Sequence, residues 1–259
     1  MSSVVKKINM DTFRVYKLGI VPYQKALELQ LSFLEKRRKG EIEDVLLLLE
    51  HPPTFTTGRG GKSEHLLQNQ DELGKKGIHF EVVSRGGDIT FHGPGQLVGY
   101  PILDLNKFNR DIHRYLRNLE EVVILALTDF KIKAERLKGI TGVWVNADKI
   151  ASIGVGVRRW TTYHGFALNV NTDLSYFAMI IPCGIQGVKI TSIQNLSRTK
   201  NDINMSEVEK GIINAFSKVF NRKLSGIISP DRHVLVGAFD AEFLIGLERK
   251  LVNPSRLLA

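Results

Sequence analysis

Arg85-Gly86-Gly87-Asp88-Ile89-Thr90-Phe91-His92-Gly93-Pro94-Gly95-Gln96-Leu97-Val98-Gly99-Tyr100 is the most informative stretch of this chain. Five glycines and a proline interrupt a sequence that is strand-like on both sides. Glycine lets backbone amides approach a ligand closely, because no Cβ stands in the way. Arg85, Thr90, His92 and Gln96 put side chains of different hydrogen-bonding ability into the same span. A plain turn between two core strands is the simpler reading of Gly86-Gly87, since glycine is the ordinary turn residue. The histidine, the glutamine and the three further glycines favour a binding loop. The segment has neither the Walker spacing with its terminal Lys-Ser/Thr nor the Rossmann glycine spacing, so neither common nucleotide fingerprint is present.

Working outward, residues 78–84 alternate and lead into the loop, and residues 96–105 leave it as another strand. Residues 13–18 and the near-continuous apolar run 45–50 also read as strands. Pro22 is placed to occupy the first turn of a helix reaching Lys39, with Gly40 as its stop. Between 111 and 130, Ile112, Tyr115, Leu116, Leu119, Val122, Val123 and Ala126 trace one helical face. Residues 143–145 and 149–157 form a predicted hairpin around Asn146-Ala147-Asp148, and 164–170 is a further strand. Ser206-Glu207-Val208-Glu209 reads as a capping box opening a helix to Phe220. Strands and helices do not alternate regularly, which points to a single α+β domain around a mixed or antiparallel sheet with packed helices. The domain is expected over 1–224, with 225–259 as an appended tail.

Composition narrows the function classes. At 259 residues with 43% hydrophobic content, the chain can bury one large core. Its apolar runs are strand-sized, and Met-Ser-Ser-Val-Val-Lys-Lys lacks the apolar stretch of a secretory signal, so a cytoplasmic protein without a membrane partner is expected. One cysteine excludes an internal disulfide and a multi-cysteine zinc site. Seven histidines without ligand spacing give no expected metal. The net charge of +9 favours a polyanionic partner. Only Lys36-Arg37-Arg38-Lys39 forms a basic run, and it reads most simply as a solvated helix end. Without a zinc finger, an RNP aromatic pattern or a basic stripe, nucleic acid is not expected.

Cys183 lies in Ile181-Pro182-Cys183-Gly184, where proline fixes the chain and glycine leaves space beside the thiol. A lone cysteine is by default a small buried hydrophobe. An irregular setting makes this one accessible enough to act as a nucleophile. Such a thiol needs a base or a neighbouring cation. His92, His164 and Lys149 are the candidates, and the residues alone do not choose among them.

The glycine-rich stretch resembles the signature of the octanoyltransferases of lipoate biosynthesis. Three further blocks follow in that family's order: Lys149-Ile150-Ala151-Ser152-Ile153-Gly154, His164-Gly165-Phe166-Ala167-Leu168-Asn169-Val170 and Pro182-Cys183-Gly184. The resemblance spans residues 13–224. It implies the fold of the biotin/lipoyl protein ligases, with Cys183 as acyl-accepting nucleophile and Lys149 as its catalytic partner. It places substrate contacts on Arg85, Gly86, Gly87, Asp88, Ile89, Thr90, Phe91 and His92, on Ser152, Ile153 and Gly154, and on Gly165, Phe166 and Ala167. Asp88 and Ile89 fall where the signature tolerates variation.

The implied reaction moves octanoyl from acyl carrier protein to a lysine of a lipoyl domain through an octanoyl-cysteine. The acceptors would be the lipoyl domains of 2-oxoacid dehydrogenase complexes and the glycine cleavage H protein. The acyl carrier protein is acidic, which suits the basic chain. Thioester to amide is downhill, so neither ATP nor a metal cofactor is expected, and a monomer would suffice. Backbone amides at Gly86-Gly87 or Gly184 are candidate oxyanion donors. An ATP-dependent lipoate or biotin ligase on the same fold, and an amidotransferase moving octanoyl between lipoyl-bearing proteins, are the alternatives.

Overall fold

Strand β2 (Asp44–Glu50) carries four consecutive leucines, and its side chains divide by parity between two cores. Val45, Leu47 and Leu49 pack with Ala26, Leu29, Phe33 and Leu34 of helix α1 (Tyr23–Arg38). Leu46 and Leu48 join the opposite core. That core includes Leu119, Val122 and Val123 of α3 (Ile112–Thr128) and Ile212 and Phe216 of α5 (Met205–Phe220). A strand buried on both faces has no solvent side to mark with polar residues, which is why it reads as a continuous apolar run.

This computed structural model describes residues 11–198, 201–230 and Leu244. The amino-terminal heptad and most of the expected tail lie outside the described residues. The main sheet has eight strands in the order β11 (Lys223–Ile228), β1 (Thr12–Ile20), β2, β6 (Gln96–Ile102), β10 (Thr161–Asn169), β9 (Asp148–Arg158), β8 (Ile140–Val145) and β7 (Glu135–Leu137). β1 is parallel to both its neighbours. The remaining pairs are antiparallel, so the sheet is mixed as expected. The boundary drawn at residue 224 falls inside β11, which continues to Ile228 along β1.

A second sheet of three strands, β4 (His79–Val82), β3 (Thr54–Thr57) and β5 (Thr90–His92), lies beside the first. Under it Phe55, Ile89, Phe91, Phe177 and Ile180 form a small core with Leu73 of helix α2 (Gln70–Lys75). The glycine-rich stretch is therefore more than a plain turn between two core strands: it leaves the small sheet at β5 and enters the large one at β6. Glycine and proline at 93–95 make that change of sheet within three residues.

Other expectations need local correction. Pro22 stands as the cap before α1 rather than inside its first turn, with its carbonyl accepting from Ala26 N–H. The cap of α5 is Asn204, whose side chain accepts from Ser206 N–H, so Ser206 sits within the helix. The hairpin turn is the two residues Asn146-Ala147, both at positive φ, the requirement of the tight turns that match strand twist. Arg37, expected at a solvated helix end, is buried and donates to Asp44 at 2.7 Å. A helix end packed on the sheet leaves no water for that guanidinium, so it needs a carboxylate.

Candidate active site

Lys149 and Cys183 are 34 residues apart, and the backbone brings them together. Lys149 is near the start of β9. Its N–H donates to Lys189 O at 2.8 Å and its carbonyl accepts from Thr191 N–H at 2.9 Å. The segment that follows Cys183 is thus laid along β9. It runs on into the short helix α4 (Ile193–Leu196).

Lys149 Nζ donates to Cys183 Sγ at 2.7 Å. The lysine is only 2% exposed, and its ammonium also lies 5.4 Å from the ring centre of Trp144. Gly142 makes this path possible. A Cβ there would sit 2.8 Å from Lys149 Cε and 3.4 Å from Nζ.

Cys183 itself has φ +58°, ψ +18°, a left-handed conformation unusual for a residue with a side chain. Its N–H donates to Ile89 O at 3.2 Å. The flanking Ile181 N–H donates to His65 O at 2.8 Å. The thiol is held on a turn anchored from both sides.

A cavity of about 260 Å³ opens beside this pair. Arg85, Gly87, Asp88, Thr90 and His92 line one wall, and Ser152, Ile153 and Gly154 of β9 with Gly165, Phe166 and Ala167 of β10 line the other. Of the residues expected in the site, Gly86, Ile89 and Phe91 do not line it. Ile89 and Phe91 point into the small core, because alternate residues of an extended segment face opposite ways. Gly86 lies beneath, its N–H donating to Val155 O at 2.9 Å. That bond removes Gly86 as an oxyanion donor. Gly184 N–H is likewise engaged, with Ile181 O at 3.0 Å.

The sequence reading missed Tyr23, Tyr100, Gly139, Ile140, Thr141 and Ile185, which also line the cavity. Tyr100 ends the quoted stretch, so its signal was within reach. Tyr23 comes from the start of α1, more than 60 residues before the quoted stretch, and nothing local in the sequence marks it.

Three histidines sit near the cavity floor, and burial keeps all of them neutral. His51 is lowered to about 4 and His164 to about 3, each chiefly by desolvation, with the Arg85 charge adding to the effect on His164. His92 lies well below the ordinary 6.5, through desolvation and then through His51 and Arg85. Val21 O can only accept, so His51 Nδ1–H donates to it at 2.6 Å and Nε2 accepts the Tyr100 hydroxyl at 2.7 Å. Gln96 Nε2 donates to Phe91 O and Asn169 Oδ1. Its Oε1 therefore accepts from His92 Nδ1–H at 2.8 Å, leaving His92 Nε2 unprotonated. His164 Nε2 is buried and has no partner among the described residues.

Arg85 acts mainly as a strut. It donates to Thr56 O at 2.7 Å, to Thr56 Oγ1 at 2.8 Å and to Gly86 O at 3.0 Å. Of the three bases open on sequence grounds, only Lys149 reaches the thiol by a hydrogen bond. Among the described residues, no cluster of three or more His, Cys, Asp or Glu could hold a metal, and no helix is long and apolar enough to cross a membrane.

Known proteins resemble this chain over most of its length. The profile of the lipoyl protein ligase A/B catalytic domain matches residues 22–217. An octanoyltransferase of Thermoanaerobacter sp. (strain X514) is 47% identical over 214 residues, covering 82% of this chain and 92% of that protein. One from Christiangramia forsetii is 46% identical over 226 residues, covering 81% and 96%. Among solved structures, a lipoate-protein ligase A bound with ATP superposes with a TM-score of 0.67 at 18% identity, covering 91% and 99%. A structure of the bi-partite lipoate protein ligase system of Thermoplasma acidophilum gives 0.65 at 17%, covering 92% and 98%. The distant structures establish the fold, and the near sequences carry the assignment: this chain belongs to the octanoyltransferase family, on the catalytic domain of the lipoyl protein ligases.

Proposed function

We propose that this protein transfers octanoyl from the thioester of acyl carrier protein to the ε-amine of a lipoyl-domain lysine, with Cys183 as nucleophile and Lys149 as acid and base. The observation that carries this reading is the 2.7 Å contact between Lys149 Nζ and Cys183 Sγ at the wall of the cavity.

In the first half-reaction, the Cys183 sulfur attacks the thioester carbonyl and Lys149 holds the thiol proton. The tetrahedral oxyanion collapses, the carbon–sulfur bond to the carrier breaks, and Lys149 protonates the departing thiol. In the second half, the acceptor amine attacks the octanoyl-cysteine. Lys149 takes the proton of that amine and returns it to Cys183 as the amide forms. Neither half consumes ATP or requires a metal.

Gly87 lines the cavity, and its N–H makes no hydrogen bond among the described residues, so it is the backbone donor we assign to the oxyanion. One such donor is worth about 3 kcal/mol. Ile140, Ile153, Phe166 and Ile185 supply apolar wall for the alkyl tail. Burying seven carbons contributes on the order of 5 kcal/mol at ~0.8 per methylene.

The carrier protein would dock on the exposed basic residues around this opening. Lys138 precedes the lining residue Gly139, Lys189 bonds the Lys149 backbone, and Arg59 N–H bonds Arg85 O. Lipoyl domains of 2-oxoacid dehydrogenase complexes and the glycine cleavage H protein are the proposed acceptors.

The thiol–amine pair supports thioester transfer over adenylation, because making an acyl-adenylate needs no cysteine nucleophile and Lys149 is engaged with one. The test is intact-mass measurement after mixing with octanoyl-acyl carrier protein. One octanoyl group should appear on the wild type and none on Cys183→Ser. An undiminished adduct on that variant, or modification of a lipoyl domain only with free acid and ATP, would overturn the reading.

A further inference from the structure

We propose that His65 and Asp88 form a positioning pair that holds the Cys183 turn in its reactive geometry, an inference that rests on reading Cys183 as the nucleophile. His65 Nδ1 donates to Asp88 Oδ2 at 2.6 Å, and the two side chains are only 12% and 11% exposed. Little water competes with such a bond, so it is worth more than an ordinary surface pair.

The bond closes a ring around the nucleophile. Asp88 Oδ1 accepts from Ile89 N–H at 2.6 Å, and the carbonyl on the other side of the same residue accepts from Cys183 N–H at 3.2 Å. On the other side, His65 O accepts from Ile181 N–H at 2.8 Å, and Leu67 N–H donates to Met179 O at 2.9 Å. Residues 65–67 thus run along residues 179–181, with Leu66 bridging Ile180. The small sheet holds one end of the ring and this bridge holds the other. Among the described residues, His65–Asp88 is the side-chain hydrogen bond that joins the two ends, beside the apolar packing of Ile89 and Phe91 with Leu66, Phe177 and Ile180.

The pair also fills space next to the thiol. A Cβ on Gly184 would lie 2.6 Å from Asp88 Oδ2 and 2.8 Å from His65 Cε1. Residue 184 therefore packs its bare backbone against the pair. A left-handed cysteine persists only when its surroundings over-determine it. Releasing one side of the ring lets the turn relax and carries Sγ away from Lys149 Nζ. The thiol then loses the cation that favours its reactive form.

The test measures carboxamidomethylation of Cys183 by iodoacetamide at pH 7, read by intact mass on the full chain. Asp88→Ala and His65→Ala should each slow it about ten-fold, and the double variant no further than either single. Asp88→Asn keeps an acceptor oxygen and should recover most of the rate. His65→Phe preserves volume without the donor and carries the same expectation as His65→Ala if the alanine variant does not fold. Folded single variants alkylated at or above the wild-type rate, single effects that multiply, or an Asp88→Asn variant as slow as Asp88→Ala would each overturn the pair. Because the probe is a small alkylating agent, this outcome does not depend on whether octanoyl is the acyl group.

Discussion

The side chain of Lys149 passes through the space beside Gly142, with Cε 2.8 Å from the position a β-carbon would take there. Gly142 also has φ +140°, which penalises any side chain independently of space. The glycine thus belongs to the proposed catalytic arrangement, by making room for the Lys149 side chain. Gly142→Ala should slow formation of the octanoyl-cysteine at least about ten-fold by displacing Nζ. Stopped single-turnover acylation checks this, and a wild-type rate with an unchanged far-UV spectrum would contradict it.

Replacing the proposed base is the stronger perturbation. Lys149→Ala should reduce acylation by about 10²–10⁴-fold, the usual range for a positioned acid–base group. Its alkyl stem is buried against Trp144, so some loss of stability is expected as well. Lys149→Met keeps the stem and separates the two effects. If Lys149→Met acylates as fast as the wild type, the lysine has no proton-transfer role.

The buried neutral histidines predict an acid-sensitive fold. His51 and His164 are lowered to about 4 and about 3 from 6.5, so between those values the unfolded chain binds protons that the folded one does not. Stability therefore rises with pH through this window, is complete above about 6.5, and is lost as pH falls toward 4. The loss is on the order of a few kcal/mol for groups this buried. Urea midpoints should hold from pH 7.5 to about 6.5 and then fall steadily to pH 4.5. A flat profile would show that these histidines are not held neutral.

Docking of an acidic carrier predicts a split between donors. Lys138→Glu with Lys189→Glu should raise KM several-fold for octanoyl-acyl carrier protein at low ionic strength, and leave the rate with a small octanoyl thioester unchanged. The effect should shrink as salt screens the charges. Equal losses with both donors would point to a disturbed site instead of a lost docking contact.

Much of the fold was legible locally. Helix α3 announced itself through a regular apolar face, and the β8–β9 hairpin through alternation around Asn146-Ala147. β3 and β11 were not seen, since a four-residue strand and a six-residue edge strand give periodicity too little length to register. The cap at Asn204 lost to a more familiar Ser-x-x-Glu pattern two residues later. Arg37 looked like part of a solvated basic run because its partner Asp44 lies across a turn.

The sequence by itself determined the residue types of the site and the order of their blocks. Glycines where backbone must come close, a cysteine between proline and glycine, and a lysine beside a tight turn are local requirements written in local residues. Tertiary structure decided which of them meet. Lys149, not His92 or His164, reaches Cys183, because the parallel bridge from residue 149 to residue 190 lays the cysteine segment against β9. It decided, too, that the glycine-rich stretch splits between two sheets, sending Ile89 and Phe91 into a core while Thr90 and His92 face the cavity. Both outcomes depend on pairings between segments distant in the chain, and no local pattern encodes a partner that lies elsewhere.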